Sequence, residues 1–218
     1  MANGLVESAA ARTETPSERR FYGVAVGKVI DNMDLLGLGR VQLHFPWFPE
    51  VEPWARVAVP MAGLNRGMYF IPQIDDEVLV AFNQGDVRQP YVVGSLWNNL
   101  ERPPAIAPTD PTTKRLIRTP LGHEIEFNEV TQTITITSST RQKITIEPEK
   151  IKIAAGERAA TVTLETRGKV SIEGSQEINL TAPTIVLRGT TVRIEAAETA
   201  MVRGGAVCSI EGGIVKIN

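Results

Sequence analysis

The chain has 218 residues, 42% hydrophobic and 22% charged, with a formal net charge of −2, a balance that fits one or two folded domains and excludes a disordered tail. The well-mixed signs give no long-range field for a polyanion, so neither nucleic acid nor an anionic membrane surface is an expected partner. No apolar run approaches the roughly 20 residues that span a bilayer, "MANGLVESAAARTE" lacks the order of a signal peptide, and the single cysteine, Cys208, cannot close an internal disulfide. Cytosolic assembly is expected, with stability drawn from packing within or between chains.

Residues 1–20 are rich in Ala, Glu, Ser, Thr and Arg without a sustained period, which predicts an N-terminal arm, mobile or folded as a short helix on a partner. Over residues 21–98, short alternating runs are separated by Gly, Pro, Asn and Asp: "FYGVAVGKVI", "GRVQLHF", "WARVAV", "EVLVAF" and "YVVGSLW". They predict strands closed into an antiparallel barrel, since closure removes the edges that so short a sheet would expose. Residues 99–120 hold Pro103, Pro104, Pro108, Pro111 and Pro120, the composition of an extended, semi-rigid linker.

Residues 121–218 carry a repeat. Apolar residues recur two apart, the residue between them is usually polar, with Val186 and Met201 as exceptions, and from Val162 onward the step between pairs is seven or eight residues. The pairs begin at Ile125 and Phe127. The inward set is Ile134, Ile136, Ile144, Ile146, Ile151, Ile153, Val162, Leu164, Val170, Ile172, Ile178, Leu180, Ile185, Leu187, Val192, Ile194, Val202, Cys208 and Ile210, with one face dry and the other wet. Asn-Gly and Asp-Gly pairs are scarce in the breaks, and Gly174, Gly189, Gly204 and Gly205 read as corners, so the chain is expected to turn without reversing. That is a β-helix, wound either by one chain alone or by three chains about a common axis. Every strand resembles every other, which favours three chains over a solitary coil whose corners differ. Burying each inward side chain is worth about 1.5 to 3 kcal/mol, so a lone chain is expected to associate.

The chain offers little reactive chemistry. Cys208 falls on an inward position and reads as a small apolar filler. His44 and His123 stand apart, with no converging ligands for a metal. Asp75, Asp76 and Glu77 are adjacent before a strand and point to different sides, which is a solvated turn and not an acid/base pair. Gly37 and Gly39 lack the third glycine of a dinucleotide loop and read as a hairpin turn. Trp47, Phe48 and Trp54 offer rings on which bases could stack, but Glu50 and Glu52 lie among them, and packing on a neighbouring subunit is the expectation. No cofactor, metal or catalytic residue is predicted.

The segments "GRVQLHFPW", "WARVAVPMAG" and "RGMYFIPQIDDEVLVAFNQGDVRQPYVVGSLWN" resemble the oligosaccharide/oligonucleotide-binding (OB) barrel of the contractile-tail spike family, the phage baseplate assembly protein V and VgrG proteins. The resemblance covers about Phe21 to Asn98, and the repeat beyond is similar to the family's trimeric, intertwined, triple-stranded β-helix. It implies an all-β, non-enzymatic central spike: a homotrimer seated on a baseplate hub protein, delivered to the target envelope on contraction, meeting the target membrane only transiently. A PAAR-like tip protein would bind Ile214, Val215, Lys216, Ile217 and Asn218, with the inner tube or effector cargo as further partners. Only about 20 residues precede Phe21, so a separate hub is expected, and the stretch from Asn98 to Leu116 leaves no room for an inserted lysozyme domain. The alternative is a single-chain β-solenoid with an OB domain, acting as an adhesin or a sugar-binding or sugar-active protein.

Overall fold

The computed structural model describes residues 20–156 and 159–216, and its contacts divide into one unit ending at Arg115 and a second beginning at Leu116. Apart from Arg20, the expected N-terminal arm lies outside the described residues.

In the first unit, strands β1 (Val24–Asp31), β2 (Val41–His44), β3 (Trp54–Val57), β6 (Glu77–Asn83) and β7 (Asp86–Leu96) close a barrel in the order β1-β2-β3-β7-β6. A two-residue hairpin, β4 (Ala62–Gly63) and β5 (Arg66–Gly67), projects between β3 and β6. The five alternating runs are thus the five barrel strands. β7 starts at Asp86, earlier than the expected Tyr91, and passes through Pro90, which a strand tolerates beside a bulge; the β6–β7 register shifts between Phe82 and Asn83. Closure comes from β3 pairing in parallel with β7, Arg56 opposite Tyr91 and Val57 opposite Val92.

Period-2 alternation sends Val29, Val41, Leu43, Ala55, Val78, Val80, Val87 and Val92 into the interior, with Phe45 and Phe48 closing it. Gly27 takes the turn in that alternation where Phe45 needs room. A Cβ there would lie 3.0 Å from Phe45 Cε1 and 3.4 Å from Val80 Cγ2.

Between β1 and β2 the loop is organised by one carboxylate. Asp34 accepts the backbone N–H groups of Leu36, Leu38 and Arg40 and both Nε and Nη2 of Arg40, while Gly37 and Gly39 take left-handed φ of 65° and 67°. The Arg40 guanidinium, with these backbone donors, holds the Asp34 carboxyl well below the usual range.

The proline-rich segment is more structured than a simple extended linker. Residues Asp110–Thr113 form a single helical turn, α1, with Pro111 in its first turn. Buried Asp110 accepts from Ala107 N–H at 2.8 Å and pairs with Lys114 at 3.2 Å. Strand β8 (Lys114–Arg118) starts inside the stretch read as linker.

In the second unit β8 is followed by β9 (Glu124–Asn128), β10 (Thr133–Thr137), β11 (Gln142–Ile146), β12 (Lys150–Ala155), β13 (Ala160–Glu165) and β14 (Val170–Gly174), seven strands in sequential order. From β9 to β14 each strand is antiparallel to the next. The expectation of corners without reversal is therefore corrected over this stretch. The reversals do not need Asn-Gly, because Gln132 and Arg141 take left-handed φ of 54° and 69°, and Gly122, Gly156 and Gly168 take 89°, 80° and 85°. Past Gly174 the strands expected around Ile178, Ile185, Val192, Val202 and Cys208 are not formed among the described residues.

Two outcomes are expected of the barrel. Gly27→Val should cost about 1 to 3 kcal/mol by overpacking Phe45, read as a lower urea midpoint in tryptophan fluorescence, since Trp47, Trp54 and Trp97 all lie in the first unit. Asp34→Asn should lower the thermal midpoint at neutral pH. A carboxyl with a depressed folded pKa stabilises above its unfolded value and loses that contribution on acidification, so the gap from wild type should shrink below pH ~4.

Candidate functional surface

The sheet's register converts the sequence pairs into two continuous rows. One runs Ile125, Ile136, Ile144, Ile153, Val162, Ile172; the other runs Phe127, Ile134, Ile146, Ile151, Leu164, Val170. Each residue sits directly opposite its neighbour in the row, the arrangement in which β-branched and aromatic side chains support one another. The intervening positions Glu126, Thr135, Thr145, Lys152, Thr163 and Ser171 form a polar row on the other face.

This sheet has one layer, and its apolar face has no cover among the described residues. Ile134 is 36% exposed, Ile153 45% and Ile172 56%. A sheet with one apolar face requires a second layer, and an apolar patch of this extent marks an interaction surface. From Ile172 within β14 to Lys216 every residue is exposed, including Ile178, Leu180, Ile185, Leu187, Val192, Ile194, Val202, Cys208 and Ile210. Ile214 and Val215 are exposed with Lys216; Ile217 and Asn218 lie outside the described residues.

The other candidates resolve locally. His44 Nδ1 lies 3.3 Å from Glu52 Oε1, and His123 accepts the Ser139 N–H at 3.2 Å. Asp75 pairs with Lys28 at 2.7 Å, and Asp76 accepts the Gln73 N–H at 2.8 Å; the two carboxylates serve a turn, not a common cleft. Among the described residues no group of His, Cys, Asp and Glu is placed to hold a metal ion.

The aromatic residues need a correction. Phe48 is buried in the barrel's own core and so does not face a neighbouring subunit, while half-exposed Trp47 stacks on Phe21 at 5.1 Å and on Phe48 at 5.9 Å. Trp54 carries Arg40 over its face, and Tyr91 carries Arg56. Sequence reasoning missed this outer face; its signal was the alternation of Trp54 and Arg56 in "WARV".

Residues 25–97 match the family described as the type VI secretion system/phage-baseplate injector OB domain. Residues 114–176 match the phage baseplate V C-terminal trimerisation domain, ending within two residues of Gly174, where the paired strands end. An injector OB domain and a phage baseplate V trimerisation domain are thus both matched within this chain. Among curated relatives, it is 36% identical over 98 residues to the actin cross-linking toxin VgrG1 of Vibrio cholerae, covering 42% of this chain and 9% of that protein. It is 35% identical over 98 residues to the type VI secretion system spike protein VgrG3 of Vibrio cholerae, covering 42% and 10%. It is 40% identical over 76 residues to the spike protein VgrG2a of Pseudomonas aeruginosa, covering 32% and 9%. The chain thus spans about a tenth of the length of these relatives.

The two faces of the family's sheet unit should answer differently to substitution. Ile144→Ala, which removes the cross-strand contacts to Ile136 and Ile153, is expected to destabilise by about 1 kcal/mol in the uncovered sheet, and by about 2 kcal/mol or more where a second layer buries that face, while Thr145→Ala, on the opposite face, should stay within about 0.5 kcal/mol. Thermal melts followed by circular dichroism distinguish them.

Proposed function

We propose that the chain is the non-enzymatic central spike of a contractile injection machine, a homotrimeric rod seated on a baseplate hub protein. The observation that carries this reading is the uncovered double row from Ile125 to Ile172, followed by an alternating segment with no strand partners. Three copies meeting at that face give the sheet its missing layer. The same meeting would supply the trailing segment with ladder partners, so that its inward residues from Ile178 to Ile210 become the interior of an intertwined β-helix. A rod of this kind resists bending because many contacts must break together, which suits mechanical piercing of an envelope. The names of the relatives, spike proteins of type VI secretion systems, support the same role.

In this reading Ile214 to Asn218 form a blunt apolar end that a PAAR-like tip protein covers. The inner tube or effector cargo are further partners, contact with the target membrane is transient, and assembly takes place in the cytoplasm before delivery. The segments 1–20, 21–98, 99–120 and 121–218 act as arm, barrel, linker and shaft. A single-chain solenoid adhesin finds no support, because such a coil stacks successive turns in parallel, and β9 to β14 pair antiparallel with their sequence neighbours.

Light scattering on the full chain tests the assembly: a mass near three times 23.8 kDa, persisting in mild denaturant, is expected. A folded monomer overturns the shaft. Deleting residues 211–218 should abolish binding to the tip protein while leaving the trimer intact.

A further inference from the structure

A break in one strand opens a groove on the outer face of the barrel. Val87, Arg88 and Gln89 leave the β6 ladder between Asp86 and Pro90. Val87 and Pro90 are buried, and between them Arg88 and Gln89, consecutive in the chain, are both exposed. A bulge of this kind re-aims side chains, and bulges gather beside functional sites. β3 joins β7 only from Arg56 and Tyr91 onward, so the bulged stretch has no ladder partner on that side either among the described residues. The groove lies in this gap, with Arg88, Gln89 and Tyr91 of β7 on one wall and Trp54 and Arg56 of β3 on the other.

The groove carries positive charge that the chain does not neutralise. Arg40 lies over Trp54 at 5.5 Å and Arg56 over Tyr91 at 5.7 Å. Asp34 meets the charge of Arg40, but Arg56 and Arg88 make no ion pair among the described residues. An adjoining hollow shares Leu38 and Arg56 with the groove and adds Met61, Arg66 and Tyr69, and no acidic side chain lines either one. Asp86, the nearest carboxylate in sequence, accepts the Arg88 N–H and Gln89 Nε2 and forms no ion pair with the Arg88 guanidinium.

We propose that this groove binds an extended acidic segment of a partner protein, with carboxylates on Arg56 and Arg88 and an apolar side chain in the hollow beside Met61 and Tyr69. A guanidinium resting on a ring is held in a plane with its edge donors free, the geometry that grips a carboxylate through two hydrogen bonds. Trp54 and Tyr91 each spend a face on one of the chain's own arginines, which takes from a single-stranded nucleic acid the platforms on which its bases would stack. With a net charge of −2 the chain exerts no long-range pull on a polyanion, whereas two guanidiniums match two spaced carboxylates at short range. The unladdered stretch of β7 suits an extended polypeptide, which main-chain hydrogen bonds can hold along a strand edge. The inference rests on the barrel alone, so it stands or falls separately from the trimeric reading.

The test is fluorescence anisotropy of labelled, end-capped pentapeptides titrated with the full chain. The peptide EELEE should bind saturably with a dissociation constant of about 0.1 to 1 mM, the scale of two charge-assisted contacts and one apolar side chain, and QQLQQ about tenfold more weakly. Arg56→Gln with Arg88→Gln should weaken EELEE about tenfold. Arg102→Gln with Lys143→Gln removes the same charge at exposed positions outside the groove and should leave EELEE binding within about twofold. Arg56→Glu with Arg88→Glu should transfer the preference to KKLKK, a gain that a misfolded barrel does not produce. Absence of saturable binding, equal affinity for EELEE and QQLQQ, or equal losses in the two glutamine pairs overturns the proposal. So does displacement of EELEE by inorganic phosphate or a thymidine octanucleotide at lower concentration than by unlabelled EELEE, which assigns the groove to phosphate.

Discussion

Everything in the second unit depends on one unmet requirement, that the apolar face of a single-layer sheet be covered. Rows of isoleucine placed in register across β9 to β14 are self-consistent within the sheet, because each side chain supports the next. They still leave that face against water. The cost is spread over the whole face, so no local rearrangement relieves it. Only another layer does, and the chain holds no further strand or helix long enough to provide one among the described residues. The first unit meets the same requirement differently. Its sheet closes on itself, so Val29, Leu43, Val78 and Val92 find their second layer across the barrel. One chain thus contains both solutions to the same problem, closure and association.

The alternation in the sequence made the barrel and the rows legible. The five runs between Phe21 and Trp97 are the barrel strands, and the inward residues from Ile134 to Ile172 all stand in the rows. What the sequence concealed was the handedness of the breaks. Gln132 and Arg141 carry no turn signature, yet each adopts a left-handed conformation, and those local choices decide whether the chain reverses or rounds a corner. Phe48 was misread for a related reason: an aromatic residue between two prolines looks like surface, but the Phe45–Phe48 turn directs its ring back into the barrel. The Arg-aromatic face was hidden because its members come from the β1–β2 loop, β3 and β7 and meet only once β3 pairs in parallel with β7.

The barrel loops show how little chemistry is needed to hold a shape. Asp34 gathers five donors from its own loop with its carboxylate, and its carbonyl accepts the Gly37 N–H to close a turn, leaving Gly37 and Gly39 to absorb the curvature. Asp75 and Asp76, which by composition resemble an acidic site, are occupied with Lys28 and the Gln73 backbone. Carboxylates here act as fasteners for loops between strands, which fits a molecule whose polar side chains hold geometry.

The end of self-pairing at Gly174 has a kinetic meaning. Strands β9 to β14 each pair with a sequence neighbour across a break of a few residues, so their contacts are local and close quickly, without waiting for a second molecule. Among the described residues beyond Gly174 no such pairing is formed, and in the trimeric reading proposed above their ordering follows an encounter between chains. Folding in two stages of different molecularity gives the later stage a template: the open edge of β14 and the ends of both apolar rows fix where the first incoming strand must lie. A slip of one residue would turn every following side chain to the wrong face, so the locally folded meander sets the register for all that is wound after it.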